Sequence, residues 1–130
     1  MFEHAHTFSG ISVDDIDAAK RFYGETLGLP LTEGMGGLNV TLPDGARLWV
    51  YPKPDHQPAT FTVLNFAVPD IDAAVDALNA AGVATRIYDD LRFPTDERGI
   101  ARGRQAGMGP DIAWFRDPAG NVLAVLDDQG

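Results

Sequence analysis

The sequence predicts an α+β fold in which two βαβββ repeats form curled mixed sheets around a shared cleft, with the helices outside. The first observation is a repeated pentapeptide, Asp-Ile-Asp-Ala-Ala, at residues 15–19 and again 55 residues later at 70–74. The second is that each copy follows a strand-like stretch and opens a helical one that stops near a glycine. A repeat of this kind indicates that the chain contains the same structural unit twice. We expect one domain over residues 1–130, with repeat 1 at about 4–52 and repeat 2 at about 60–128.

The composition favours a globular protein that acts on neither nucleic acid nor membranes. Hydrophobic residues make up 45% of the 130, enough for a real core. Nineteen acidic residues against ten basic ones give a net charge of −9, which repels phosphate backbones and anionic lipid surfaces. The absence of cysteine excludes disulfides, thiolate nucleophiles and cysteine-ligated metals. No apolar run reaches the roughly 18 residues of a membrane span, and no secretory signal opens the chain, so a cytoplasmic protein is expected.

The first repeat predicts a strand, a helix and three further strands, in that order. Alternation over residues 6–13 gives the first strand. Asp14 or Asp15 is the expected cap of the helix, and Gly28 supplies a left-handed stop. The remaining strands are expected near residues 31–35, 38–42 and 47–51. A linker with three prolines, residues 52–58, ends the repeat.

The second repeat predicts the same order, with one insertion. Its strands are expected at residues 61–68, near 85–88, and at 111–116 and 122–127, with a helix from 71 to about 81. The hairpin glycines Gly45 and Gly120 lie 75 residues apart, which is 20 more than the two helices do. We therefore expect an insertion of about that size at residues 89–110.

The insertion holds four of the chain's eight arginines, Arg92, Arg98, Arg102 and Arg104. Long irregular segments in compact domains are often lids or binding loops. The insertion is therefore expected to cover one mouth of the cleft and to favour an anionic or carbonyl-rich ligand. The alternative is a disordered surface excursion.

Two stretches of the sequence resemble the vicinal oxygen chelate superfamily. They are Val-Asp-Asp-Ile-Asp-Ala-Ala-Lys-Arg-Phe-Tyr at 13–23, followed by Leu-Gly-Leu at 27–29, and Phe-Arg-Asp-Pro-Ala-Gly-Asn-Val-Leu at 115–123. The superfamily includes glyoxalase I, bleomycin-resistance proteins, extradiol dioxygenases and fosfomycin-resistance enzymes. The resemblance runs essentially end to end outside the insertion. It implies the predicted fold but no single activity, because one scaffold hosts many chemistries.

The resemblance implies four metal-ligand positions, and this sequence has no ligand at any of them. Enzymes of the family hold a divalent metal with residues from the first and last strands of both repeats, commonly His, Glu or Gln. Here the matching positions are Phe8, Trp49, Val63 and Ala124. All are apolar, and none offers a lone pair fit for such a metal. We expect no metal and no cofactor.

The three histidines do not restore a metal site. A two-residue register slip would bring His6 to the first ligand position, but a half-buried strand resists slipping, and one ligand would not suffice. His4 and His6 are expected at a loose N-terminus or a strand end. His56 is expected in solvent, within the proline-rich linker.

Alternation also predicts which side chains line the cleft. They are Phe8, Gly10, Ser12, Arg47, Trp49 and Tyr51 from repeat 1, and Val63, Asn65, Ala67, Val122, Ala124 and Leu126 from repeat 2. An aromatic pair beside an arginine suits a small, flat, partly apolar molecule. The candidate ligand-binding residues are Phe8, Arg47, Trp49, Tyr51, Asn65 and Trp114, the last with no assigned face. The alternative is that these side chains fill the space and leave no pocket.

Three functions remain open from the sequence. The first is a metal-free small-molecule binding protein that sequesters an aromatic or drug-like compound, by analogy with the bleomycin-resistance type. The second is a lyase, isomerase or dioxygenase, metal-dependent or metal-free, for which no catalytic residue is predicted. The third is a structural or regulatory dimer without a ligand. The expected partners are a small organic ligand and a second copy of the chain, as a homodimer.

Overall fold

The computed structural model describes residues 1–88 and 94–128. The chain divides into two compact units, Met1–Pro58 and Ala59–Gly130. Each unit carries one four-stranded mixed sheet, and the architecture is the α+β arrangement that the repeat predicts. Arg92 and the first residues of the expected insertion, 89–93, lie outside the described residues. Within those residues, none of the helices has the length and apolar character needed to cross a bilayer.

The first unit follows the predicted order closely. Its elements are β1 (Ser9–Val13), α1 (Ile16–Lys20), a π-helix (Arg21–Thr26), β2 (Leu31–Gly34), β3 (Gly37–Thr41) and β4 (Arg47–Pro52). The strand order is β1-β4-β3-β2, with β1 parallel to β4 and the other pairs antiparallel. Asp15 caps α1, and its side chain accepts a hydrogen bond from the Ala18 amide at 3.1 Å.

One face of the first sheet forms the core of its unit. Leu38 and Val40 of β3 and Leu48 and Val50 of β4 are almost completely buried, and α1 packs on these two strands. Full burial of each such side chain is worth about 1.5–3 kcal/mol. Because side chains alternate along a strand, the residues between them point to the opposite face. That face is the one on which a ligand could bind.

The first helix differs from the regular helix that the sequence predicts. After five residues it widens into a π-helix, in which the Leu27 amide donates to the Phe22 carbonyl at 2.9 Å, five residues back. The wider turn accompanies the burial of two consecutive rings, Phe22 and Tyr23, which meet edge to face at 5.1 Å. Gly28 follows with φ +70°, as expected of a left-handed stop.

The second unit repeats this topology, with one edge strand shorter and the other longer than in the first. Its elements are β5 (Thr62–Val68), α2 (Ile71–Ala80), β6 (Ile100–Ala101), β7 (Ile112–Arg116) and β8 (Val122–Asp127). The order β5-β8-β7-β6 matches that of the first sheet. Asp70 caps α2 as Asp15 caps α1, with the Ala73 amide donating at 3.1 Å. The repeat inferred from the sequence is therefore confirmed at its helix starts.

The strand predicted near residues 85–88 is wrong. The edge strand is instead β6, which lies inside the predicted insertion. Side chains hold the earlier segment: Asn79 donates to the Thr85 hydroxyl at 3.0 Å, and that hydroxyl donates to the Arg98 carbonyl at 2.7 Å. Backbone also packs closely here, since a Cβ on Gly99 would lie 2.1 Å from the Thr85 carbonyl oxygen. The segment at residues 85–88, although rich in strand-forming residues, is therefore irregular and held by side-chain hydrogen bonds.

Candidate functional site

The face of the first sheet away from α1 presents a row of three residues across three strands. Trp49 of β4 pairs with Gly10 of β1 on one side and with Asn39 of β3 on the other. Directly paired residues share a face, so these three lie side by side. We call this surface the open face of the first sheet.

A pocket of about 100 Å³ lies on the open face. Its lining residues are His6, Phe8, Asn39, Arg47 and Trp49. The sequence predicts three of these, Phe8, Arg47 and Trp49, and the structure brings them together. The Phe8 side chain is 65% exposed, so it is an apolar surface available to a ligand.

The indole of Trp49 fits on the sheet because the neighbouring strand has a glycine, Gly37, beneath it. A Cβ on Gly37 would stand 2.6 Å from Cη2 and 2.8 Å from Cζ2 of the indole. The indole therefore lies across β3 over Gly37, in space that only glycine leaves free. Trp49 is half-buried, whereas its neighbours Leu48 and Val50 on the other face are in the core.

Tyr51 extends the open face beyond the pocket. It pairs with Ser12 of β1, and a Cβ on Gly10 would lie 4.0 Å from its Cε1 atom. The expectation that His56 is solvated is wrong. His56 is half-buried, and its Nδ1 shares a hydrogen bond of 2.7 Å with the Ser12 hydroxyl, which ties the linker to β1.

Two lining residues, His6 and Asn39, are absent from the candidates that the sequence predicts. Asn39 lies between the buried Leu38 and Val40 on β3, so alternation places it on the open face. The turn at residues 43–45 indicates that β3 pairs with β4, and this pairing could have predicted that Asn39 lies beside Trp49. His6 precedes β1, consistent with the expected strand end, but it reaches the pocket. The alternation of buried and exposed residues along β1 could not identify His6, because His6 lies outside the strand.

The remaining two candidates share one face of the second sheet. Asn65 of β5 and Trp114 of β7 both pair with Ala124 of β8, so all three point the same way. This assigns Trp114 the face that the sequence left open. Its ring meets Tyr88 edge to face at 5.2 Å, and Ala124 is completely buried.

The described arginines of the insertion bind carboxylates of their own unit. Arg98 pairs with Asp72 and Asp76 of α2, the latter at 2.6 Å. Arg102 contacts Asp72 at 2.8 Å. Hydrogen bonds from Arg102, and then from Arg98, outweigh desolvation and lower the pKa of Asp72 from 3.8 to about 2.

The other pairs of this ion network continue the pattern. Arg102 also reaches Asp96 and Asp111, each at 3.3 Å, and Arg104 bonds to Asp127 through Nε at 2.8 Å. Five carboxylates therefore face three guanidinium groups. The expectation that these arginines focus positive potential for a ligand is wrong, because their charge is more than balanced locally.

The positions that the resemblance implies as metal ligands, Trp49 and Ala124 among them, carry apolar side chains. Trp49 and Ala124 occupy equivalent places on β4 and β8, opposite Gly10 and Asn65 respectively. An indole and a methyl group supply no donor for a divalent cation. Among residues 1–88 and 94–128, no three His, Asp or Glu side chains are grouped closely enough to hold a metal ion.

The sequence model of the Glyoxalase/Bleomycin resistance protein/Dioxygenase superfamily matches residues 4–125, nearly the whole chain. The chain belongs to this superfamily. No curated protein sequence matches this chain significantly.

Several solved structures share the fold of this chain. A glyoxalase family protein from Enterococcus faecalis is 20% identical with a TM-score of 0.69, covering 98% of this chain and 100% of its own. FosX, a fosfomycin resistance protein from Listeria monocytogenes, is 12% identical with a TM-score of 0.69, over 96% and 93%. TnmS3, an antibiotic binding protein from Streptomyces sp. CB03234, is 27% identical with a TM-score of 0.62, over 95% and 97%.

Proposed function

We propose that this superfamily member is a small-molecule binding protein that sequesters an aromatic or drug-like compound without transforming it. The observation that carries the proposal is the pocket on the open face of the first sheet, where Trp49 and Phe8 lie with Arg47 and Asn39. Aromatic side chains next to a few polar groups are typical of ligand sites. Stacking on such a ring contributes about 0.5–1.5 kcal/mol beyond the area buried.

The size of the pocket limits what it can hold. Complete small-molecule pockets begin at about 300 Å³, and a cavity of about 150 Å³ can hold benzene. At about 100 Å³, this pocket is smaller than that cavity and accepts only part of one ring of a ligand. The rest of the ligand extends over exposed surface. Tyr51 on the same face is the further contact that we propose for this ligand. Asn65 and Trp114, on one face of the second sheet, are proposed as ligand-binding residues of their own unit.

The comparison with TnmS3 supports binding over chemistry. That protein is described as an antibiotic binding protein, and the likeness covers almost all of both chains. The apolar residues at the four family ligand positions support the same choice, since chemistry through a chelated metal has no ligand set there. We propose that the chain acts without a metal, as a homodimer.

One observation favours a second candidate, a metal-free lyase or isomerase. His6 lines the pocket, and an imidazole is the side chain best suited to proton transfer near neutral pH. In that case the pocket would bind a substrate whose proton His6 removes.

A binding experiment with recovery of the ligand separates these candidates. Untagged protein is screened by thermal shift against planar aromatic compounds, and each hit is incubated and then recovered for mass spectrometry. Sequestration predicts unchanged compound and less than about 0.1 mole of Ni, Zn, Fe or Mn per chain. Conversion of a hit that is lost in His6→Gln would favour the enzyme. One mole of metal per chain would contradict the metal-free account.

A further inference from the structure

We infer that the molecule bound on the open face carries an anionic group, a carboxylate or an equivalent, and that Arg47 binds this group while Trp49 stacks on the attached ring. The inference rests on the proposed function and adds the chemical class of the ligand.

The charge of the pocket is opposite to that of the protein. The chain has a net charge of −9, yet the five lining residues include a guanidinium, an imidazole and an amide and no carboxylate. A cationic ligand would find many acidic sites elsewhere on this surface, but no acidic side chain in this pocket. An anion is repelled by the protein as a whole and needs a local cation to bind.

Arg47 is available to serve as that cation. Arg98, Arg102 and Arg104 are each bound to at least one aspartate. Arg47 makes no ion pair with any residue of the described ranges, 1–88 and 94–128, although the chain has 19 acidic residues. Its guanidinium keeps five donors in a planar fork, which matches the two oxygens of a carboxylate.

The spacing of Arg47 and Trp49 sets the shape of the ligand. They are two residues apart on β4 and share a face, so their Cα atoms are about 7 Å apart. Asn39, directly opposite Trp49, adds an amide that donates and accepts beside the ring. A flat aromatic acid, with its charged group one ring-width from the stacked ring, meets all three side chains.

A series of three probes that differ in charge tests the inference. Isothermal titration calorimetry measures the affinities of 2-naphthoate, 2-naphthylmethanol and 2-naphthylmethylammonium for wild type, Arg47→Gln and Arg21→Gln. Arg21 is an exposed arginine of the π-helix, outside the pocket lining, and is the matched control. We expect wild type and Arg21→Gln to prefer the carboxylate over the alcohol about tenfold at low salt, and Arg47→Gln to lose this preference. The preference should shrink as salt is added.

The possible failures point to different parts of the account. Equal affinity for carboxylate and alcohol in wild type, or a preference that survives Arg47→Gln, overturns the inference and leaves aromatic binding intact. Preference for the ammonium probe overturns it as well. If none of the three probes binds wild type at millimolar concentration, both the inference and the proposed function are contradicted.

Discussion

The Trp49 indole lies against the backbone of Gly37, with its Cη2 atom 2.6 Å from where a Cβ would stand. The same Cβ would also approach the Val50 carbonyl oxygen to 2.6 Å. The glycine on β3 therefore leaves the space that the indole on β4 occupies. The face on which we propose that a ligand binds depends on this pair of residues on adjacent strands.

Replacing Gly37 with alanine should disturb both stability and the environment of Trp49. A methyl group cannot fit unless both the ring and the β4 backbone move, so we expect a loss of about 1–3 kcal/mol. Urea unfolding and tryptophan emission measure the two effects. Gly34→Ala is the matched control, because Gly34 pairs with Gly37 and a Cβ there meets nothing within 4 Å. Equal stability of the two variants would show that Trp49 is not held over Gly37.

The turn between β7 and β8 should depend on one buried carboxylate. Asp117 is 4% exposed and accepts bonds from the Ala119 amide at 3.0 Å and from the Asn121 amide at 2.8 Å. We expect Asp117→Ala to cost about 2–4 kcal/mol, since bonds to a charged acceptor are strong and buried donors lose their partner. In the corresponding turn of the first unit, Asp44 is exposed, and within the described part of the chain its side chain accepts a bond only from the Ala46 amide, at 3.1 Å. Asp44→Ala should cost about 0.5–1 kcal/mol, and a similar cost for both variants would contradict this account.

Acid should weaken the ion network around Asp72. Its pKa is lowered to about 2 in the folded chain, so the unfolded chain takes up the proton first as the pH falls. The stability that Asp72 contributes is therefore present at neutral pH and is lost between about pH 4 and pH 2. Half of its side chain is exposed, so solvent screening keeps the contribution small.

A comparison of two asparagine variants isolates this contribution. Asp72→Asn should lower the urea midpoint at pH 6 and leave it close to wild type at pH 2.5. Asp17 holds the same place in the first repeat and has no ion pair within the described ranges, so Asp17→Asn should change little at either pH. A difference between wild type and Asp72→Asn that does not depend on pH would exclude the ion-pair explanation.

Local signals in the sequence predict most of the architecture. The repeated aspartates mark both helix starts, and Asp15 and Asp70 cap them through the same bond geometry. Alternation along β3 and β4 places Trp49 and Arg47 on one face, because burial of every second residue fixes the register. These predictions succeed where the deciding interactions lie within one strand, one helix turn or one hairpin.

The failures occur where distant residues decide the structure. The segment near Thr85 has strand propensity, but bonds to Asn79 and to the Arg98 carbonyl hold it in another conformation. The arginines of the insertion looked available because their partners, such as Asp72, are up to 30 residues away. His56 bonds to Ser12 across 44 residues. No periodicity in one sequence reveals such pairings.

Truncation of Trp49 tests the central claim, that this residue binds a ligand rather than stabilising the core. The affinity for 2-naphthoate and the free energy of unfolding are measured on wild type, Trp49→Ala and Trp49→Phe. We predict that Trp49→Ala weakens the affinity for 2-naphthoate at least tenfold and that Trp49→Phe retains part of this affinity. Truncation of a core aromatic costs about 3–5 kcal/mol of stability, and we predict that Trp49→Ala costs well under that amount. A loss of about 3–5 kcal/mol in stability with unchanged affinity for 2-naphthoate would contradict the account.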